Sequence, residues 1–209
     1  LYWARREDGN YSAQPAGEGR IVLSGLEDQT EYKLYIARED GTQSSERLVR
    51  TGEAPGKLIN YLHPEDKTFS FSGQYIASPS IVRLDNGVLL TSMDVFAGRT
   101  PSNLTMLFRS EDNGETWSYV TDIFPCFWGK LFTHRGSLYL LGMSNEYGDL
   151  LIGKSEGEGR TWTTPTPILR SSADTDEGGL HKAPMPVVRA HGRLWTEIDW
   201  GTWCRNGFS

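Results

Sequence analysis

Ser110–Trp117 reads "SEDNGETW", and 45 residues further on Ser155–Trp162 reads "SEGEGRTW". A turn-rich octapeptide that recurs within one chain marks a repeated structural unit. In the first copy Asp112 is placed to accept backbone N–H bonds across the turn, Gly114 supplies a permissive φ, and Trp117 folds back as an apolar plug. In the second copy Gly157 stands at the place of Asp112, which removes a side-chain acceptor worth about 1 kcal/mol net. Thr161 and Trp162 are kept, so the turn is expected to survive.

Around these octapeptides lie three further hairpins that align on Gly87, Gly136 and Gly192: "SPSIVRLDNGVLLTSMD", "WGKLFTHRGSLYLLGM" and "APMPVVRAHGRLWTEID". Each reads as strand, tight turn, strand, with a glycine where a short hairpin turn needs positive φ. Between them, "LTMLFRSEDNGETWSYV" and "LLIGKSEGEGRTWTTPTPI" repeat the same plan. The period is four strands in about 50 residues, the spacing of β-propeller blades. Helical periodicity competes nowhere. The octapeptides then close the outer hairpin of each blade, on the face opposite the one where the inner strands begin.

The pattern Ser-x-Asp-x-Gly-x-Thr-Trp at Ser110–Trp117 resembles the Asp box (BNR repeat) of sialidase-like propellers, and the resemblance covers residues 63–209. It implies an all-β fold, a six-bladed propeller of which about three blades are present. Sialidases open their first inner strand with Arg-Ile-Pro, whose Arg clamps a substrate carboxylate; here Ala77-Ser78-Pro79 keeps only the Pro. They also carry an acid/base Asp in the loop after the second strand, whereas this loop reads "FAGRTPSNLT", leaving Asp94 at its start as the nearest candidate. The Tyr nucleophile and its Glu partner belong to later blades. The segment "GGLHKAPMPVV" is more similar to sialidase-like propellers of polysaccharide-degrading bacteria.

Upstream, "LYWARRED", "RIVLSGL", "EYKLYIARED" and "ERLVRT" read as strands between turn signals. The stretch "GLEDQTEYKLYIAREDGTQSS" resembles the last half of a fibronectin type III-like domain, with its Gly-Leu-x-x-x-Thr-x-Tyr corner. The expected organisation is a partial fibronectin type III-like sandwich over 1–52, a Gly- and Pro-punctuated linker over 53–62, and the partial propeller over 63–209. Both ends are expected to be cut from a longer protein.

Composition narrows the function. At 37% hydrophobic and 23% charged residues the chain is expected to fold rather than remain disordered. A net charge of −6 with scattered basic residues lacks the footprint that phosphate backbones select, so nucleic acid is not an expected partner. No run approaches the roughly 20 apolar residues of a membrane span. Two cysteines and four histidines give no zinc spacing, so neither metal nor other cofactor is expected. Cys126 and Cys204 fall near one rim in neighbouring blades, which leaves both a disulfide and two free thiols open.

If the start of each first strand and the end of each second share one face, the rim gathers Asp94, Arg99, Trp128, Glu146, His181, Lys182, Asp199 and Trp200. Asp94 and His181 are the candidates for proton transfer, because a carboxyl of raised pKa or a near-neutral imidazole suits glycoside cleavage. Arg99 and Lys182 are candidates for anion contact, Glu146 and Asp199 for sugar hydroxyls, and Trp128 and Trp200 for stacking on a sugar face. The expected protein is a secreted or periplasmic exo-acting glycoside hydrolase that removes a terminal sugar, acidic sugars included, from a glycan or polysaccharide. A lectin-like binding propeller and a polysaccharide lyase are the alternatives.

Overall fold

Alternating apolar and polar runs become strands throughout. A computed structural model describes residues 1–67, 75–96, 102–171, 178–202 and 207–208 of the 209, and these contain no helix. The chain divides into two compact units, Leu1–Ser70 and Phe71–Ser209.

The first unit is one antiparallel sheet of β1 (Tyr2–Arg5), β2 (Ser12–Ala13), β3 (Glu31–Tyr35) and β4 (Arg47–Arg50), in the order β2-β1-β3-β4. Ahead of β3 the chain turns so that the buried Tyr32 accepts the Glu27 N–H on its hydroxyl at 2.9 Å. Two expectations are corrected. "RIVLSGL" is not a strand, because its backbone finds no ladder partner and Val22 is left exposed. His63, read as the start of the propeller, is seated in the first unit with its Nε2 3.2 Å from Glu31 Oε1. Nearby, the buried Asp66 accepts from Arg47 Nε at 2.7 Å. Burying a carboxylate is tolerated there because a guanidinium comes with it, and these partners carry the unit past the expected 53–62 linker.

The second unit is built from successive antiparallel sheets. β5 (Tyr75–Arg83), β6 (Leu89–Phe96), β7 (Leu104–Ser110) and β8 (Ser118–Ile123) form one in the order β5-β6-β7-β8. β9 (Phe127–His134), β10 (Ser137–Met143), β11 (Leu150–Lys154) and β12 (Thr166–Leu169) form the next, again in chain order. In the third, β13 (Gly179–His181) pairs β16 (Asp199–Thr202), which pairs β17 (Gly207–Phe208). The expected third hairpin is interrupted: among the described residues β14 (Val188–Ala190) and β15 (Arg193–Trp195) pair only with each other. Pro184 and Pro186 lie in the gap between β13 and β14, where a missing N–H cannot serve a ladder.

The sheets pack face to face through β10, which is why its sequence is nearly all apolar rather than cleanly alternating. Leu138 and Leu140 point into a cluster with Leu90, Leu107 and Leu131 of the first two sheets. Leu141 and Met143 point the other way, into a cluster with Phe127, Leu150 and Leu180 that joins the second and third sheets. A strand buried on both faces loses the period-2 signature.

Both octapeptides fold alike. Ser110 Oγ accepts Gly114 N at 2.8 Å, as Ser155 Oγ accepts Gly159 N at 2.7 Å. Trp117 and Trp162 each donate the indole N–H to the glycine carbonyl, at 3.1 and 3.0 Å. Gly114 and Gly159 share φ of +93°. Asp112 accepts from Thr116 N and from Ser110 Oγ at 2.9 and 2.8 Å, and the Thr116 hydroxyl first of all holds its carboxyl down to about 2. In the second turn the Thr161 hydroxyl donates instead to the Glu156 carbonyl.

Candidate functional site

The rim opposite these turns is organised by one carboxylate. β5 and β9 each carry an irregularity in register near their start, at Ala77–Ser80 and opposite Leu141–Met143. Within these bulges Ser78 and Trp128 adopt left-handed φ of 50° and 54°, costly for an indole side chain. Asp94, at the end of β6, compensates both. Its Oδ2 accepts Trp128 N at 2.7 Å, its Oδ1 accepts the Thr105 hydroxyl at 2.5 Å, and Ser78 and the Gly129 N–H complete the shell. Burial pushes its carboxyl up to about 7 against the pull of these donors.

The proton-transfer role expected for Asp94 is therefore corrected. Its side chain is fully buried and its oxygens are occupied by protein donors, so it positions its neighbours rather than meeting a ligand.

What Asp94 positions is an aromatic and imidazole pair. The Trp128 ring stands 4.0 Å from the His181 ring, edge on at 64°. Across β13 and β16, His181 faces its register partner Asp199, with Nδ1 3.6 Å from Asp199 Oδ2. Burial lowers the His181 pKa and Asp199 partly restores it, so the ring is neutral near pH 7. Asp199 stands on the Nδ1 side of the ring.

Lys182 follows on the chain, buried, with Nζ donating to the Ala183 carbonyl at 3.2 Å. Burial and then the charge of Lys130 pull its pKa down to about 8. Among the described residues no carboxylate forms an ion pair with it.

The expected residues thus separate. Asp94, Trp128, His181 and Asp199 form one connected group, with Lys182 adjoining it. Glu146 is half-buried on the loop between β10 and β11. Trp200 is 52% exposed and, among the described residues, makes none of the ring contacts that tie Trp128 to its surroundings. Arg99 and Cys204 lie outside the described residues; Cys126 is buried, its thiol pushed up to about 12 by that burial.

Sequence reasoning missed Tyr147, a buried residue at φ 61° whose ring meets Trp128 edge on at 6.2 Å. It also missed Thr105, whose polar side chain amid the apolar β7 run is the one available signal. Among the described residues no group of three or more His, Cys, Asp or Glu is arranged to hold a metal, and no helix is long and apolar enough to cross a membrane.

No family model and no curated relative matches the chain. Solved structures are similar to it. A Penicillium chrysogenum α-L-arabinanase complexed with arabinobiose is 18% identical over 70% of this chain and 47% of its own, with a TM-score of 0.49. A variant of a Fusarium graminearum α-L-arabinofuranosidase in complex with an iminosugar inhibitor is 14% identical over 60% and 40%, at 0.48. A Dyadobacter fermentans protein of unknown function is 13% identical over 91% and 60%, at 0.42. The chain spans 40 to 60% of the length of these structures. With scores below 0.5, the architecture rests on the strand order and packing described above.

Proposed function

We propose that Phe71–Ser209 is part of a sialidase-like β-propeller that hydrolyses glycosidic bonds at a chain end, outside the cell or in the periplasm, preceded by a fibronectin type III-like module. Support for the propeller comes from chain-order four-stranded sheets packed face to face, with matching octapeptide turns at one end. The observation that carries the functional reading is the linked group Asp94, Trp128, His181 and Asp199, in which an indole, an imidazole and a carboxylate are brought together from three sheets.

The stacking role expected for Trp128 is corrected, because its ring is 5% exposed and packs against His181 and Tyr147. In this reading it holds His181 in place. His181 takes a proton from the attacking water while Asp199 stabilises the resulting imidazolium, and the departing sugar oxygen takes a proton from solvent. Lys182 and Lys130 bring two positive charges to the neighbouring inner strands, which favours an acidic sugar. Glu146 is the carboxylate for hydroxyl contacts.

A second reading is favoured by the neutral state of His181. In that reading the same base removes the proton next to a uronate carboxylate, attracted at a distance by the charges of Lys182 and Lys130, and cleaves the chain by elimination. Incubation of the full protein with a glycan library separates the readings. New reducing ends support hydrolysis, absorbance of an unsaturated uronate supports elimination, and retention without product supports a lectin-like module.

A further inference from the structure

A recess opens between the first two sheets, and His181 is not part of its lining. It has a volume of about 360 Å³ and lies between the end of β8, the face of β11 and the residues that leave the second octapeptide. Cys126 and Leu140, which belong to the cluster facing the first sheet, form part of its floor; Trp128 belongs to the cluster on the opposite face of the second sheet.

The lining joins two chemistries. Phe124 presents its ring at the mouth with 63% exposure, and Trp162 stands half-buried inside. The exposed Arg160 and Thr164 line it as well, with the carboxylate of Asp122, which also accepts from the Tyr119 hydroxyl. The Arg160 guanidinium makes no hydrogen bond or ion pair with the described residues. Gly153 contributes no side chain to the wall, which leaves the depth of the recess open beside Trp162.

We propose that this recess binds an uncharged glycosyl residue of a polysaccharide, separate from the His181 site. A sugar ring has an apolar C–H face suited to Phe124 and Trp162, and an equatorial rim of hydroxyls suited to Arg160, Asp122 and Thr164. The volume, at the small end of the roughly 300–1,000 Å³ typical of ligand pockets, fits one or two such rings. A purely apolar ligand would strand the guanidinium and carboxylate; an acidic ligand would meet Asp122.

The test is saturation-transfer NMR and calorimetry on the full chain with xylobiose, cellobiose and lactose. At least one disaccharide should bind saturably, with a Kd on the order of millimolar. Phe124→Ala and Arg160→Ala alter exposed side chains, and each should weaken binding about fivefold or more, the loss expected for one aromatic or charged contact. Gly153→Val should block it, since a Cβ there meets the Trp162 ring at an ordinary 3.7 Å. His181→Ala should leave it intact. The proposal is overturned if none of the three sugars binds, if binding survives both alanine variants, or if His181→Ala abolishes it. It is equally overturned if a proline-rich decapeptide, and no sugar, occupies the recess.

Discussion

The Trp128 backbone N–H donates to Asp94 Oδ2 across 2.7 Å, so that a carboxylate on one sheet holds the left-handed first turn of an inner strand on the next. The indole carried by that turn is the one that meets His181. The candidate site is thus set by a group that does not itself face it.

Removing this carboxylate should loosen the rim. Asp94→Ala leaves the Trp128 N–H buried without its acceptor, while the Thr105 hydroxyl keeps the Cys126 carbonyl at 3.2 Å, so the expected loss is about 1–3 kcal/mol. Chemical denaturation measures it. A loss below about 1 kcal/mol would mean that the carboxylate holds nothing in place.

The same residue gives a pH signature. Its folded pKa, about 7, lies above the ordinary 3.8, so folding favours the protonated form. The stabilisation is complete below pH 4 and is lost as pH rises towards 7. Asp94→Asn should flatten this part of the profile of Tm against pH; an unchanged slope would exclude Asp94 as its source.

His181 titrates in the opposite sense. Burial depresses its pKa, so its neutral form stabilises the fold above pH 6.5, and that contribution fades as acid charges the ring. Activity should fall on the same acid limb and vanish in His181→Ala. Because Asp199 favours the charged ring, Asp199→Asn should move the acid limb of kcat/KM to lower pH. A move to higher pH would contradict the pairing.

The second octapeptide makes an unintuitive prediction. Gly157→Asp would restore the motif of the first copy, yet Gly157 has φ of +124°, a conformation that L residues rarely adopt. The substitution should cost about 1–3 kcal/mol. A rise in Tm would show that the turn relaxes to the conformation of its partner.

Much of the second unit was legible because glycine-closed hairpins and octapeptide turns are local. Their geometry depends on a few consecutive residues, and Gly87, Gly136 and Gly192 all have positive φ as the alignment requires. The role of Asp94 was not legible, because it depends on Ser78, Thr105 and Trp128, which converge only after β5, β6 and β7 have paired and β9 of the next sheet has packed against them. The seat of His63 was obscured for the same reason: its partner Glu31 is 32 residues away. Pro184 and Pro186 were visible in the sequence, but the alignment on Gly192 outweighed their effect on the third hairpin.

Glu158, at the tip of the second octapeptide, reaches back to the first sheet, with Oε1 2.7 Å from Asn86 Nδ2 and Oε2 2.9 Å from Arg109. On the ribosome this clasp points against the direction of synthesis. The first sheet must emerge and wait, its Arg109 paired with the neighbouring Glu111 but not yet with Glu158, until the chain has grown 72 residues beyond Asn86 and the latch itself has been made.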